Sequence, residues 1–274
     1  MGRLTFILIF IGLCTTTYSQ RGFEVGGFAG ASWYFGDINN EFRLNSPGAT
    51  IGAASRFNFD ERLCFKLGIN YIWLRGYDYK SPNLFQQARN ISFNNHMAEA
   101  AGQLEFNFLT YRHGSRDNWY TPYMFIGGSI FSYAPRAYYQ GKWVNLRAMG
   151  TEGQQKGSEY AITSGAWLVG IGFKLDFSDT WSINAELSSR QAFTDYLDDT
   201  HGNYADNFQI AYERGADAAY LADPSILIPG FNDTKIGQEG RQRGDRYTYD
   251  GYTTFTVGLM YYFARVPCPE ILKH

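Results

Sequence analysis

The sequence has little cysteine, and what it has is widely spaced. Three cysteines occur in 274 residues, at Cys14, Cys64 and Cys268. Only the last two lie beyond the N-terminal leader described below, which is too few for a disulfide framework or a structural zinc site. An excess of charge of one sign is also lacking, since the net charge is −2. This balance excludes the basic footprint of a nucleic-acid-binding domain, so no nucleic acid is expected as a partner.

Long apolar runs are scarce as well. The run from Leu4 to Leu13 holds ten residues, whereas a membrane-spanning helix needs about 20. It follows Arg3 and precedes the mostly small and polar residues Thr15 to Ser19, which is the pattern of a cleaved secretory signal peptide. We therefore expect a signal peptide over residues 1–19. The mature chain, residues 20–274, is interpreted as a single domain with a short C-terminal tail.

Motifs for catalysis are missing. No G-x-S-x-G nucleophile motif occurs. Gly150 to Gln154 has the glycines of a phosphate loop but lacks its Gly-Lys-Ser/Thr core. His96, His113 and His274 are scattered without the spacing of metal ligands. The sequence therefore predicts a protein that is not an enzyme, with no metal, no cofactor and no small-molecule substrate.

Aromatic residues and glycine are abundant, with 22 Phe, 21 Tyr and 30 Gly. In the stretch from Gly165 to Asp199, apolar residues such as Trp167, Val169 and Ile171 alternate with small or polar ones. Because successive residues of a strand point to opposite faces, this stretch is a hairpin with one apolar and one polar face. Such a hairpin fits a secreted β-sandwich. It fits equally an outer-membrane barrel, in which the apolar face meets lipid and the charges face the lumen.

The lengths of the connections decide between these two folds. Eight strands are predicted, each long enough for the ~9–11 residues of a tilted membrane strand. Short turns alternate with long loops over residues 36–47, 76–90, 134–160 and 197–245. Short turns at one rim and long loops at the other are expected of an outer-membrane barrel. We therefore predict an all-β protein of the cell outer membrane, an eight-stranded antiparallel transmembrane β-barrel with short periplasmic turns and long extracellular loops.

Charged residues fall on the polar faces of these strands. At membrane depth such charges are tolerated only if they are paired inside a lumen. An eight-stranded barrel is just wide enough for its own side chains to fill it. The sequence therefore predicts a plugged barrel that is not a pore. The predicted polar network of the lumen consists of Arg56, Lys66, Glu99, Glu105, Lys174, Glu186 and Arg190.

Two further groups of residues carry open alternatives. Cys64 and Cys268 both fall near the periplasmic rim, where they could form a disulfide, remain free thiols, or leave Cys268 to bond a partner protein.

The segment from Phe193 to Asp199, followed by His201, is the one acidic cluster with a nearby histidine. It could supply a general base or a Ca²⁺ site, but a solvated rim is the favoured interpretation. The polar segment from Lys235 to Arg246 is expected to be the mobile middle of an external loop.

Six motifs occur in order along the chain. They are Phe35-Gly36-Asp37-Ile38-Asn39, Gln87-Ala88-Arg89-Asn90, Glu99 through Phe108, Thr121-Pro122-Tyr123, Gly150 through Gln154, and Phe193 through Asp199. Together they resemble the PorG-type outer-membrane barrels of Bacteroidetes, a group that overlaps a domain-of-unknown-function family. The similarity extends from about Gly22 to Phe263, is weakest over residues 201–245, and includes Asp195, Asp198 and Asp199 of the acidic rim segment.

This resemblance implies a component of the type IX secretion system. PorG-type barrels are associated at the periplasmic side with rings of PorK lipoprotein and PorN, which support protein export and, in some members, gliding motility. The expected partners are therefore the outer-membrane bilayer and a PorK/PorN-like ring, contacted by the periplasmic turns and the tail Arg265–His274. The alternative is a free-standing small barrel of the OmpA or OmpW kind, with a membrane-stabilising or small-solute role. An outer-membrane hydrolase using Asp195 and His201 is the least favoured hypothesis.

Overall fold

The chain folds into a closed β-barrel. The computed structural model describes residues 22–41 and 43–263. Eight long strands pair in the antiparallel order β4-β3-β2-β1-β9-β8-β7-β5, and the pairing of β4 with β5 closes the barrel. The predicted eight-stranded antiparallel barrel is thus confirmed. The strands are β1 (Gly22–Phe35), β2 (Gly48–Asn58), β3 (Leu63–Tyr77), β4 (Ser92–Asn107), β5 (Tyr120–Tyr139), β6 (Lys142–Asn145), β7 (Thr163–Asp176), β8 (Trp181–Ala192) and β9 (Gly251–Tyr262).

Tight turns and one longer linker join the strands at one end, which we call the short-turn end. Between β2 and β3, the Asp60 carboxylate accepts hydrogen bonds from the backbone N–H groups of Arg62 and Leu63, both at 2.7 Å. Between β7 and β8, the Ser178 hydroxyl accepts one from the N–H of Trp181 at 3.0 Å. Asp and Ser side chains that bind the backbone a few residues on are common turn formers, so these connections stay short.

Two strand boundaries differ from the sequence-based expectation. Strand β5 extends past Tyr133 to Tyr139, and it continues through the turn Gln140-Gly141 into the unpredicted short strand β6. Both turn residues have positive φ, 46° and 80°, which suits a two-residue hairpin. Strand β9 begins at Gly251 rather than Tyr247, because the Asp245 carboxylate accepts hydrogen bonds from the Tyr247 N–H and the Thr248 hydroxyl and so forms a turn there.

The inner surface of the barrel is not polar along its whole length. Toward the long loops, inward-facing side chains form a buried apolar layer, in which the rings of Tyr34 and Phe93 meet edge to face at 4.8 Å. The charged residues lie on the other side of this layer, toward the short-turn end. The layer therefore separates a polar lumen from the long loops. Its largest members are Tyr34, Ile72, Leu74, Phe93, Met97, Phe131, Tyr133 and Tyr252.

The long loops fold together over the barrel. We call residues 36–41, 43–47, 78–91, 146–162 and 193–250 the cap. It contains a 3₁₀ turn (Asp78–Lys80) and the helices α1 (Leu84–Arg89), α2 (Leu146–Met149), α3 (Asn207–Arg214) and α4 (Ala216–Ala222). None of the helices in the described part of the chain is long and apolar enough to cross a membrane.

The segment from Lys235 to Arg246 is part of this cap. The expectation of a mobile loop there is wrong, because Ile236 and Arg243 are buried. Ile236 packs with Ala88 and Tyr204 in a small apolar cluster that joins the β3–β4 and β8–β9 loops. Arg243 makes ion pairs, described below, that a solvated loop would lack.

Candidate functional site in the lumen and its cap

The lumen holds pairs of opposite charge at the centre of the barrel. Arg56 on β2 lies 2.8 Å from Glu24 on β1 and 2.9 Å from Glu105 on β4. Lys174 on β7 reaches the same Glu105 carboxylate across the lumen, at 2.7 Å. All four side chains are fully buried. Because each carboxylate faces at least one cation, none of these charges is buried alone.

A second pair of contacts lies closer to the apolar layer. Arg190 on β8 binds Glu99 on β4 at 2.8 Å, and Lys66 on β3 binds Glu186 on β8. Tyr252 donates to Glu99 at 2.7 Å. The structure therefore places all seven residues of the predicted polar network inside the barrel, in contacts that span it from wall to wall.

Sequence reasoning did not assign Glu24, Tyr123 or Tyr252 to this network. Glu24 alternates with apolar residues on β1, so its position on the inner face was visible in the pattern. Tyr123 and Tyr252 were not distinguishable, because aromatic residues occupy both faces of their strands. Tyr123 donates to Glu186 at 2.6 Å, and the Lys174 ammonium lies 4.5 Å from the centre of its ring. Such rings fill space that smaller side chains would leave to water.

One void between these side chains is small. It measures about 20 Å³ and is lined by Lys66, Gln103, Glu186, Arg190 and their neighbours. A single water molecule needs about 10–15 Å³, so this space accommodates one water and no column of them. The centre of the barrel is filled by its own side chains.

The linker between β4 and β5 closes the short-turn end. His113 is buried there, with Nδ1 3.0 Å from Asp176 and Nε2 3.3 Å from Glu24, and its ring stacks on Tyr262 at 4.2 Å. Burial alone would lower its pKa, but the hydrogen bonds to the two carboxylates outweigh burial and raise the pKa of His113 to about 9. The neighbouring Tyr111 donates to Asp176. Part of the turn expected to face a partner therefore points into the barrel.

The predicted acidic rim is buried under the cap. Asp195, Asp198 and Asp199 are 4%, 0% and 1% exposed, so the expectation of a solvated rim is wrong. Residues 200–250 pack over these carboxylates, with Arg243 beside Asp199, and no local pattern predicts this packing. Together with Asp37, Glu152 and Asp250 we call them the acid cluster.

Tyr34 joins two members of the acid cluster. Its hydroxyl lies 2.6 Å from a carboxylate oxygen of Asp198 and 2.6 Å from one of Asp250. A phenol has one proton to donate, so one of the two carboxyls must carry a proton and donate it to the phenol oxygen. Burial, followed by the mutual repulsion of the carboxylates, raises the pKa of both Asp198 and Asp250 well above the usual range. The pair therefore holds a proton.

Asp195 and His201 do meet, as a catalytic pair would require. His201 Nδ1 lies 2.6 Å from the Asp195 carboxylate, at the edge of the acid cluster. Burial and then the neighbouring carboxylates Asp198 and Asp37 raise the pKa of Asp195 to about 9. Among the described residues, no three His, Cys, Asp or Glu side chains are arranged to hold a metal ion. The arrangement is that of a partly buried hydrogen-bonded pair, since the His201 side chain is 34% exposed.

Two arginines connect the acid cluster to the rest of the cap. Arg89 binds both oxygens of Asp78 at 2.7 and 2.9 Å and donates to the backbone oxygens of Asp37 and Arg243. Arg243 in turn lies 3.2 Å from Glu152. Glu152 also accepts hydrogen bonds from the backbone N–H groups of residues 201 and 202 at 2.9 and 3.0 Å. Segments far apart in sequence are held together by these few side chains.

Four of the six motifs that carry the family resemblance meet in the cap. They are the segments around Asp37, Arg89, Glu152 and Asp198, and the contacts above link them to one another. The other two motifs supply lumen residues, Glu99 and Glu105 from β4 and Tyr123 from β5. The motifs thus coincide with the filling of the barrel and the internal bonding of its cap.

Cys64 lies inside the lumen near the short-turn end. Its side chain is fully buried, and its sulfur lies 3.6 Å from Lys174 Nζ and 3.6 Å from Asn107 Nδ2. Cys268, the tail Arg265–His274 and the predicted signal peptide lie outside the described residues. The alternatives for these two cysteines, a disulfide or free thiols, therefore stay predictions.

Comparison with known proteins gives one family and a set of barrel folds. The N-terminal β-barrel domain of Pseudomonas aeruginosa OprF matches with 9% identity over 89% of this chain and 99% of its own, with a TM-score of 0.41. Neisserial surface protein A matches with 10% identity over 88% and 97%, with a TM-score of 0.45. Pseudomonas aeruginosa OprG matches with 10% identity over 90% and 98%, with a TM-score of 0.40. Nothing about function follows from likenesses this distant.

No curated protein sequence matches the chain. A sequence model of the family described as "Domain of unknown function (DUF6089)" matches residues 3–215. That span covers β1 to β8, which form seven of the eight barrel walls, together with the acid-rich segment that follows β8. The chain therefore belongs to the DUF6089 family.

Proposed function

We propose that this chain is a non-catalytic β-barrel of the bacterial outer membrane that anchors a protein assembly and conducts nothing itself. The outer surface of the barrel supports the membrane placement. Ile69, Ile126, Ile130 and Trp167 are 60–67% exposed. Large apolar side chains facing outward over a whole surface are unfavourable in water and favourable in lipid.

The height of this apolar belt suits a bilayer. On β3 the outward-facing side chains from Leu63 to Trp73 are all apolar or aromatic. Ten residues at about 3.3 Å each, tilted by about 40°, rise roughly 25 Å, which is the height of the apolar band on outer-membrane barrels. Aromatic side chains line the short-turn rim of the belt, as expected at a lipid–water interface. They include Phe23, Phe57, Phe59, Phe106, Phe108, Trp119, Phe173, Trp181 and Phe263.

The filled lumen is the observation that carries the anchoring function. Paired charges and tyrosines occupy the centre of the barrel, His113 and Tyr111 occupy one end, and the cap covers the other. A solute would have to displace ion pairs that are fully buried, which costs several kcal/mol each. A barrel that passes nothing acts through its surfaces.

We infer further that the assembly is that of the type IX secretion system. The support is the resemblance to PorG-type barrels, in which a PorK/PorN-like ring lies at the periplasmic side. In this orientation the short-turn end is periplasmic. Arg112, Arg116 and Asp117 are exposed there beside the buried Tyr111 and His113. They are the described side chains best placed to contact a ring.

Planar-bilayer recordings test the closed lumen. We expect no stable channels from the purified protein, while the double variant Lys66→Ala/Glu186→Ala, which removes one pair across the lumen, shows intermittent conductance. The exposed pair variant Arg112→Ala/Glu61→Ala serves as the matched control and remains silent. Stable channels from the unaltered protein would contradict an anchor.

Affinity purification from the native outer membrane in mild detergent tests the partner. A tagged protein should recover a ring-forming lipoprotein and its periplasmic partner, identified by mass spectrometry. Arg112→Glu/Arg116→Glu should lower that recovery, while the cap variant Arg241→Glu should leave it unchanged. Recovery of the barrel alone, under conditions that keep other envelope complexes intact, would favour the alternative below.

One observation favours the alternative of a free-standing barrel of the OmpA or OmpW kind. The shared motifs are engaged in the lumen and the cap, so they need no partner to account for them. Such a protein would stabilise the membrane or carry a small solute along its outer wall. Deletion of the gene would then weaken the envelope without impairing protein export.

A further inference from the structure

We propose that the outer wall of β2 to β5 binds one phosphorylated glycolipid of the outer leaflet, with its phosphate between Arg75 and Arg136 and an acyl chain in the groove below. This inference rests on the membrane placement proposed above. It is independent of any role in secretion.

The first observation is a row of polar residues in register on three neighbouring strands. Arg75 on β3 pairs with Asn94 on β4, and Asn94 pairs with Arg136 on β5. All three side chains face outward. Neighbouring strands lie about 4.8 Å apart, so the two arginines flank a gap of roughly 10 Å between their backbones. Two guanidinium groups can close on a phosphate from the two sides of such a gap.

These cations have no acidic partner. Neither Arg75 nor Arg136 makes a hydrogen bond or ion pair within the part of the chain that the structure describes, and both are exposed. Lys80 adds a third positive charge above them, 4.8 Å from the ring of Tyr77. Asn94 lies between the arginines, and its carboxamide oxygen is buried without a hydrogen-bond partner in the described residues. This row therefore carries positive charge that no acid in the described residues neutralises.

The second observation is an apolar groove beneath the row. It has a volume of about 610 Å³, and its floor is made of the small side chains Ala53, Ala98 and Ala100. Ile51, Ile69 and Ile130 form its walls. The groove exists because alanines on β4 lie between larger side chains on β3 and β5, in the rows Ile69–Ala100–Ile130 and Tyr71–Ala98–Ser132. A smooth belt of equal side chains would leave no such depression.

The spacing of charge and groove matches a lipid. The row of arginines lies four residues along the strands from the row of Tyr71 and Ala98, which is about 13 Å. Between them, His96 contacts the Tyr71 hydroxyl at 3.3 Å and Trp73 lies beside it, as is common at a lipid–water interface. A phosphate at the interface and an acyl chain below it satisfy both features at once.

The position of the two arginines along their strands indicates a lipid of the outer leaflet. Arg75 and Arg136 lie at the end of their strands nearest the long loops. In the proposed orientation this level faces the leaflet that carries phosphorylated glycolipid. The partly exposed His96 ring can bond a sugar hydroxyl, which a simple phospholipid lacks.

Native mass spectrometry of the full-length protein, titrated with diphosphoryl lipid A in detergent, tests the proposal. Since each arginine near an anionic lipid contributes about fivefold in affinity, Arg75→Gln/Arg136→Gln should weaken binding about 25-fold. The exposed cap variant Arg241→Gln is the matched control and should change binding by less than twofold. Equal binding by the double variant and the unaltered protein would overturn the proposal.

The groove is tested by filling it. Ala98→Leu/Ala100→Leu should weaken lipid A binding, whereas Ala185→Leu, outward-facing on the opposite strand β8, should not. Lipid A without phosphates and phosphatidylglycerol should both bind more weakly than diphosphoryl lipid A. Phosphatidylglycerol binding as tightly as lipid A would overturn the glycolipid assignment.

Flotation with phosphatidylcholine vesicles distinguishes a failure of the proposed lipid site from a failure of the proposed membrane placement. Protein that floats with the vesicles but shows no preference for lipid A contradicts the lipid site alone. Protein that does not insert into vesicles contradicts both.

Discussion

The two buried polar regions of this barrel neutralise their carboxylates in different ways. In the lumen each acid faces a cation: Glu24 and Glu105 face Arg56, and Glu105 also faces Lys174. The acid cluster under the cap has fewer cations than acids, and a tyrosine joins two of its carboxyls. Charges in the lumen are neutralised by their partners, and the acid cluster is neutralised in part by protons. Because protons exchange with the solvent, the acid cluster should respond to pH, whereas the paired charges at the centre of the lumen should not.

Removal of a lumen cation should have the largest effect on stability. Arg56→Met leaves Glu24 and Glu105 buried without their main partner, and breaking a buried pair in this way costs about 3–5 kcal/mol. The free energy of unfolding, from urea titration of the protein in phospholipid vesicles, measures the loss. Arg112→Met, which breaks an exposed pair with Glu61, is the control and should cost about 0–1 kcal/mol. Equal losses from the two variants would mean that the lumen pairs are no more stabilising than surface pairs.

Removal of the Tyr34 hydroxyl should have an intermediate effect. Tyr34→Phe leaves two fully buried carboxyls without their shared partner, and an unsatisfied buried polar group costs about 1–3 kcal/mol. The loss should shrink at low pH, where both carboxyls are protonated and can bond each other. Unfolding titrations at pH 5 and pH 8 measure it. Tyr138→Phe, at an exposed tyrosine, should change stability little at either pH, and a loss from Tyr34→Phe that does not depend on pH would argue against a shared proton.

The stability of the cap should fall as pH rises from about 4 to about 9. Burial raises the pKa of Asp195 from 3.8 to about 9 and those of Asp37 and Asp199 to about 6. An acid whose pKa is raised on folding binds its proton more tightly in the folded state, so the stabilisation is complete below pH 3.8 and is lost as pH rises through the folded pKa. Hydrogen exchange of cap peptides, corrected for the intrinsic rate, should therefore accelerate with pH relative to peptides of β3 and β8.

The variant Asp195→Asn tests whether ionisation of Asp195 causes this pH dependence. An asparagine cannot ionise, so the variant should flatten the pH dependence of cap exchange while leaving strand exchange unchanged. Asp206→Asn, at a helix N-cap outside the acid cluster, is the control and should keep the slope of the unaltered protein. A cap whose exchange is independent of pH in all three proteins would contradict protonation of the cluster.

The same contrast explains what the sequence could predict. Barrel strands can be recognised from a short stretch of sequence, because outward-facing and inward-facing residues alternate within ten positions. Lys66 and Glu186 could each be assigned to a polar face in this way. Their contact could not be assigned, because 120 positions separate them and the pairing depends on barrel closure.

The folding of the cap could not be predicted from the sequence for a related reason. Arg89 and the backbone oxygen of Arg243 are 154 positions apart, and each of their loops taken alone is polar and rich in turn residues. The pattern therefore favoured solvated loops, although several of these polar residues are buried against one another. The acid cluster could be seen in sequence as FTDYLDD, but nothing local indicated that residues 200–250 fold over it.

The smallest expected effect concerns Cys64, which belongs to the lumen. Its side chain is fully buried beside Lys174 and Asn107, and a disulfide requires two sulfurs within about 2.05 Å. We therefore expect iodoacetamide to label the folded protein once, at Cys268, and the unfolded protein twice, with no change in mobility on non-reducing electrophoresis. Cys268→Ser should abolish labelling of the folded protein and Cys64→Ser should not. A mobility shift that disappears on reduction and in both variants would instead establish the bond, and would require the tail to enter the lumen past His113.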